Sequence, residues 1–391
     1  MKRANLLAIL FVYVVVDLLG YSLILPLLPY YAKTFGGTPF LIGLLGASNA
    51  IAQIIGAPLI GRLSDRYGRR PLLIVGLVAS LVGFMMLGMA RSLALIFVSR
   101  IVDGLFGGNT ALAQAYITDV TDEKSRAKGL GIIGAAFGIG FIIGPALGGW
   151  LSQWGYAVPA FLAAVLSLVN LIWVLVALPE SLTAERRAAL AIRPDPPISV
   201  GALLVALRRP KVGPLLHTRL FYNLAFGLFQ SNFALFALYQ LGLAPQSTGY
   251  ILTYVGLLAV LVQGFAIGRL TTRFSEKQLL LAGAIVMAVA LLVWGFVPNV
   301  PLLLVVLAPL ALAGGTLNVV LGSLLTKSVS REEVGGTLGL SQALQSLSGV
   351  IAPSAGGLLM QELGPWSLGV AGALIMGWST SFVWRHIVRE H

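Results

Sequence analysis

The 391-residue chain has no cysteine and three histidines, and only 10% of its residues are charged. Without cysteine there can be no disulfide, thiolate metal site or cysteine nucleophile. His217, His386 and His391 are too few and too scattered for a histidine-rich metal centre. The sequence holds no G-x-x-x-x-G-K-[S/T] loop for nucleotide phosphates, and neither H-E-x-x-H nor G-x-S-x-G. ATP-driven work by this chain alone and hydrolase chemistry are therefore not expected. The scarcest commodity is charge, since a soluble domain carries roughly 25%. Hydrophobic residues make up 58% of the chain and mean hydropathy is +0.92. Too little polar surface remains to coat a water-soluble globule, which implies an integral membrane protein.

A membrane-spanning helix needs about 20 apolar residues, so windows poor in charge can be counted. They fall at 4–32, 34–61, 71–90, 92–118, 129–179, 220–268, 278–326, 334–361 and 363–384. Three of these are long enough for two helices each. Their expected breaks lie at Gln153-Trp154-Gly155, Leu243-Ala244-Pro245 and Pro298-Asn299-Val300-Pro301. Twelve spans result. The runs are continuously apolar rather than alternating, which disfavours barrel strands of about 10 residues. Met1-Lys2-Arg3 followed by an apolar run looks like a secretory leader, but no small-residue cleavage site follows. It reads as a retained first span.

The longest polar stretch holds Glu185-Arg186-Arg187 and Pro194-Asp195-Pro196-Pro197. This divides the chain into a first six-helix bundle at 1–179, a cytoplasmic linker at 180–213 and a second bundle at 214–391. The net charge of +12 comes from basic residues scattered between apolar runs, so topology explains it better than nucleic acid does. With the N-terminus inside, every Lys and Arg falls on the cytoplasmic side except Lys33, Arg91, Arg100 and Arg219. Both termini are then cytoplasmic.

The two halves repeat one another. Gly61-Arg62-Leu63-Ser64-Asp65-Arg66-Tyr67 has a degraded partner 207 residues on, Gly268-Arg269-Leu270-Thr271-Thr272-Arg273-Phe274. Gly144-Pro145-Ala146-Leu147-Gly148-Gly149 has one 208 residues on, Ala352-Pro353-Ser354-Ala355-Gly356-Gly357. Two matches at nearly one offset imply homologous bundles in parallel orientation, an arrangement found among secondary transporters.

These residues also carry a family resemblance. Gly61 to Arg70 resembles the loop signature G-x-L-x-D-r-x-G-R-R of the major facilitator superfamily. Arg100-Ile101-Val102-Asp103-Gly104 is similar to its fourth-span motif. Gly140-Phe141-Ile142-Ile143-Gly144-Pro145-Ala146-Leu147-Gly148-Gly149 resembles the span-five motif associated with antiporters. Asp17-Leu18-Leu19-Gly20, running on to Leu25-Pro26-Leu27-Leu28-Pro29, is similar to span one of tetracycline and multidrug efflux proteins. The resemblance covers essentially the whole chain. It implies an all-α integral membrane fold of twelve transmembrane helices in two homologous six-helix bundles. In the second half Thr272 replaces the signature acid and Ser275 its glycine.

The resemblance implies that Gly61, Asp65, Arg66, Gly68, Arg69 and Arg70 form a gate tying the bundles together, with Asp119 as partner for Arg69. Ordinary positive-inside anchoring would account for the arginines alone, but not for Asp65 or the glycines. In span five, Gly140 and Gly144 lie on one helix face and allow close packing. Pro145 permits a bend, and Gly148 and Gly149 extend the stripe. Ionisable groups inside the bilayer cost about 2.5–3.5 kcal/mol each at a helix centre, so they mark function. Asp17 stands halfway along span one with no charged neighbour in sequence. A low dielectric disfavours the ionised carboxylate, and Asp17 is expected to exchange a proton. Arg100 and Asp103, three residues apart, pair as a proton-coupling or a purely structural couple. Arg219 lies near enough to the start of span seven to snorkel.

Polar residues in apolar spans suggest a cavity: Asn49, Gln53, Asn109, Tyr222, Asn223, Gln230, Asn318, Gln342 and Gln345. Helix–helix hydrogen bonding is the competing explanation. The reading preferred is a non-enzymatic, proton-coupled exporter of amphipathic, drug-like compounds working by alternating access. No cofactor is expected beyond the proton gradient. Expected partners are the small substrate, protons and the lipid bilayer, without nucleic acid, and the chain is expected to act as a monomer in a bacterial inner membrane. A facilitator or importer of sugars or lipids is the alternative on the same scaffold, and a transport-dead receptor or scaffold is the third reading.

Overall fold

An uninterrupted apolar run in a bilayer leaves each backbone N–H and C=O only its own helix as partner. The computed structural model describes residues 3–183, 185–187, 200–330 and 333–389, and helices dominate it, with no strand among the described residues. Residues 194–197 and His391 lie outside the described residues. Twelve helices are long and apolar enough to cross a membrane. Spans one to six are Leu6–Thr34, Pro39–Tyr67, Arg69–Gly88, Leu93–Val120, Ile133–Trp154 and Ala157–Ala177. Spans seven to twelve are Gly213–Gln240, Pro245–Arg273, Glu276–Gly295, Val300–Lys327, Val334–Leu363 and Trp366–Val388.

Helix starts follow local chemistry. Asn299 caps span ten by accepting from the Leu302 amide at 3.1 Å, which explains the break at Pro298-Asn299. Ser275 and Gln278 form a reciprocal capping box at the start of span nine. Asp122 caps the helix Glu123–Leu151 that carries span five. The break after span five is a single turn, Ser152–Trp154, closed by Gly155.

The chain folds as two units. The first comprises Met1–Gly37, Ser48–Asp195 and Ala244–Gly256; the second comprises Thr38–Ala47, Pro196–Leu243 and Leu257–His391. In the first unit, span one packs on spans five and six, and span three on spans four and six. In the second, span seven packs on spans eleven and twelve, and span nine on spans ten and twelve. The pairing is the same in both, so the sequence repeat is also a repeat of packing. The core of the first unit gathers Leu10, Tyr13, Leu73, Leu77, Tyr116 and Val174. In the second, Trp294 is fully buried between Phe229 and Phe236, with ring centroids 5.1 and 4.4 Å away.

Span four is not one helix. It runs from Leu93 to Phe106, breaks at Gly107-Gly108 and restarts at Asn109 to end at Val120. By charge alone, 92–118 reads as a single span, and a count of apolar windows carries no signal for the Gly107-Gly108 break.

Candidate functional site

The break in span four places polar groups deep in the first unit. Asp17 lies eleven residues into span one, about 17 Å along it at 1.5 Å per residue. Asn109, the first residue after the break, donates its amide to Asp17 Oδ1 at 2.9 Å. Asn109 is itself buried, with its own carbonyl oxygen pressed against Gly76 of span three. A side chain at Gly76 would occupy the place of that oxygen. The other carboxyl oxygen of Asp17 takes no hydrogen bond among the described residues, so one oxygen is held and one is available. At the break itself, Gln53 of span two donates to the freed carbonyl of Gly107 at 3.2 Å.

A second polar cluster joins spans two, three and four. Arg100 and Asp103 pair at 3.4 Å, and both are buried. Asp103 also accepts from Ser80 at 3.3 Å and from Asn49 at 3.5 Å. Asn49 donates as well to the Arg100 carbonyl at 2.9 Å, and the Arg100 guanidinium lies over the Phe84 ring. Breaking such a pair by removing one partner leaves an uncompensated buried charge.

At the arginine-rich end of the same unit the signature Gly61–Arg70 is helix rather than loop. Span two continues as helix through Tyr67, Gly68 alone is non-helical at φ 111°, and span three begins at Arg69. Asp65 therefore sits near the C-terminal end of span two, paired with Arg69, and not at a helix N-terminus where carboxylates are usually placed. That role belongs to Glu180, just after span six. Its carboxylate accepts from the backbone amides of Arg69 at 2.9 Å and Arg70 at 3.2 Å, and also from Ser181 and Leu182. Gly68 is required twice: its backbone is left-handed, and a Cβ there would collide with the Glu180 carboxylate. Arg69 is buried, with Nε 3.2 Å from Asp119 and a bond to Ser64. Arg70 donates to the Leu175 carbonyl at 2.6 Å. Arg66 stays exposed above Tyr67, and Gly61 has open space where a side chain would go. In the second unit the matching junction caps itself through Ser275 and needs no distant acid.

The glycines of span five make contacts a side chain would forbid. A Cβ at Gly140 would lie 3.0 Å from Leu18, and at Gly144 or Gly148 it would run into Ser22 or Leu23, all on span one. Ser22 donates to the Gly140 carbonyl at 2.8 Å, across the same seam. Pro145 sits inside the helix, and a Cβ at Gly149 would lie 2.8 Å from the Pro245 carbonyl. Thr253 donates to the Ile142 carbonyl at 2.7 Å.

Of the residues expected to line a cavity, four make helix–helix hydrogen bonds. Asn49, Gln53 and Asn109 serve the contacts above, and Tyr222 is buried with its hydroxyl donating to the Gly314 carbonyl at 3.0 Å. The physical reason is general: an amide or hydroxyl in an apolar span takes the nearest backbone acceptor. Gln230, Asn318, Gln342 and Gln345 are exposed in the second unit, and Asn223 is half-buried. Arg219 does not simply snorkel, because it donates to the Asn318 carbonyl of span ten at 3.2 Å. Sequence reasoning missed Glu180 and Gly76. The acid in Pro179-Glu180-Ser181, alone at the end of a span on an arginine-rich side, was the available signal.

The family model described as Major Facilitator Superfamily matches residues 10–244 and again 215–390. "Solute carrier family 67 member A1" of Homo sapiens is 31% identical over 372 residues, covering 93% of this chain and 88% of the relative. "Multidrug resistance protein 2" of Bacillus subtilis (strain 168) is 28% identical over 394 residues, covering 98% and 96%. "Tetracycline resistance protein, class C" of Escherichia coli is 30% identical over 356 residues, covering 90% and 89%.

Proposed function

The chain belongs to the major facilitator superfamily of membrane transporters, and from that premise we propose that it is a proton-coupled exporter of amphipathic, drug-like compounds. The observation that carries this reading is Asp17, a carboxyl deep in the bilayer whose one side-chain hydrogen-bond partner among the described residues is the neutral amide of Asn109. A proton-coupled cycle needs a group that takes up a proton on one side of the membrane and loses it on the other. A carboxyl with one oxygen tethered and one open does this without dragging a counter-ion. The Arg100–Asp103 pair, one turn before the break in span four, is a second proton-handling group. Similarity to resistance proteins along nearly the full chain supports efflux over import.

In this reading the proton gradient is the energy source and no cofactor takes part. Arg69, Asp65, Asp119, Arg66, Arg70, Gly61 and Gly68 act at a cytoplasmic gate rather than on substrate. The glycine seam of span five lets helices slide at close range during alternating access. The protein works as a monomer in the plasma membrane with both termini cytoplasmic, the orientation that places most lysines and arginines inside.

The test is transport in proteoliposomes under an imposed pH gradient, with lipophilic drugs, sugars and lipids as candidate cargo. Asp17→Asn should abolish pH-driven accumulation while leaving substrate exchange at a reduced rate. Intact drug-dependent proton antiport in Asp17→Asn, with Asp103→Asn inactive, would move the coupling site to span four. Transport indifferent to the pH gradient would overturn coupling altogether.

A further inference from the structure

Arg219 and His217 are the only Lys, Arg, His, Asp or Glu side chains in span seven. The described acids of the second unit, Glu276, Glu333 and Glu362, stand at helix ends and are engaged. Glu276 opens span nine and accepts from Ser323 at 2.6 Å and Lys327 at 2.8 Å. Glu333 accepts from Arg209 at 2.6 Å, and Glu362, near the far end of span eleven, accepts from Gln361. Arg100 has its carboxylate 3.4 Å away in Asp103; Arg219 makes no ion pair among the described residues. It has the Asn318 carbonyl on Nη1 and the Tyr222 ring 5.7 Å from its guanidinium carbon.

Two donors beside it are unused. Arg219 Nε is buried without a hydrogen-bond partner, and so is the amide nitrogen of Asn223. Four residues apart in one helix, they lie on the same face, one turn from each other. Buried polar groups are nearly always partnered, and two orphan donors one turn apart are open to an acceptor that comes from outside the chain. A carboxylate supplies two coplanar acceptor oxygens and the missing negative charge, the geometry a guanidinium edge binds best. Next along this face the rings of Tyr222 and Phe226 stack 5.7 Å apart, and Phe226 is half-buried. The half-buried Phe226 gives an apolar wall for the rest of an amphipathic molecule, backed by the buried Tyr222 ring.

We propose that Arg219 and Asn223 form an anion-recognising subsite on span seven, beside span ten, which selects amphipathic substrates that carry a carboxylate. The proposal rests on the transporter reading for its biological use, but its chemistry is confined to the second unit. It is tested by binding to the purified full-length protein in detergent, with naphthylacetate, its neutral primary amide and the matching naphthylethylamine as probes. Naphthylacetate should bind the unaltered protein about tenfold or more tightly than the amide. Arg219→Gln should bring the acid down to the level of the amide, Arg219→Lys should keep part of the preference, and Asn223→Ala should weaken acid binding severalfold. No preference for the acid in the unaltered protein overturns the subsite, and so does an undiminished preference in Arg219→Gln. Should Arg219→Gln fail to give a folded, monodisperse protein, Asn223→Ala decides by the same criterion. The three probes are also followed into proteoliposomes under a pH gradient. Acid-selective binding without pH-driven movement overturns the proposed export and leaves the subsite standing. Movement of the amine alone, with no acid binding, overturns the subsite and leaves export standing.

Discussion

Replacing Glu180 by Gln should destabilise the first unit far more than an ordinary surface change. Glu180 accepts four backbone N–H groups, two of them from Arg69 and Arg70 at the free start of span three. Hydrogen bonds to a charged group contribute about 1.5–3 kcal/mol each, and a carboxylate at a helix N-terminus adds about 0.3–1 kcal/mol. Gln keeps one acceptor oxygen and the shape but turns the other position into a donor facing donors. The group is half-exposed, so water recovers part of the loss, and the expected cost is about 1–3 kcal/mol. For a unit of this size that corresponds to a fall in Tm of about 2–10 °C. Thermal unfolding in detergent, followed by circular dichroism, reads it directly. Gly68→Ala should act on the same contact, because its Cβ would displace the Glu180 carboxylate. The double variant should therefore be less destabilised than the two single changes added together. An unchanged Tm in Glu180→Gln, or strict additivity with Gly68→Ala, would refute the idea that this distant acid anchors span three.

Gly144→Ala should cost about 1–3 kcal/mol by overpacking against Ser22 and Leu23, whereas Gly131→Ala, with open space at its Cβ, should be neutral or slightly stabilising; equal Tm values for the two would contradict the seam. Asn109→Ala frees the held oxygen of Asp17, and the midpoint of transport against pH should shift while substrate affinity at a fixed pH changes little; an unmoved pH profile would count against Asn109 as a positioning residue. The hydrogen bond from Arg209 holds the Glu333 carboxyl below the usual glutamate range. A depressed folded value means the pair stabilises above the unfolded value of about 4.3 and is lost as pH falls through the lower folded one. The small Tm difference between the unaltered protein and Glu333→Gln should thus be constant from about pH 6 to 8 and vanish in stronger acid; a difference that grows as pH falls would show the sign to be wrong.

What could be read from the sequence was whatever the bilayer forces locally. A window of about 20 apolar residues has to be helical wherever it lies, so the count of twelve spans needed no knowledge of neighbours. The helix breaks near Gly155, Pro245 and Asn299 were legible for the same reason, since caps and turns act within a few residues. The repeat was legible because it lies in the order of residues. Arg69 meeting Asp119 was anticipated only through the family pattern, as the two are 50 positions apart.

Tertiary structure alone decided which polar groups meet. Glu180 reaches Arg69 across 111 positions, and no local pattern encodes that distance. The second-half junction, with the same ancestry, solves the same problem inside four residues through Ser275 and Gln278. Polar residues in apolar spans, such as Asn49, Gln53 and Asn109, advertise a partner without naming it. Their partners turned out to be a buried ion pair, a freed carbonyl and Asp17. A hydrogen bond in a low-dielectric interior is satisfied by whichever group packing brings within 3 Å. Composition limits the candidates, and only the approach of one helix to another, set by small residues such as Gly76 and Gly144, selects among them.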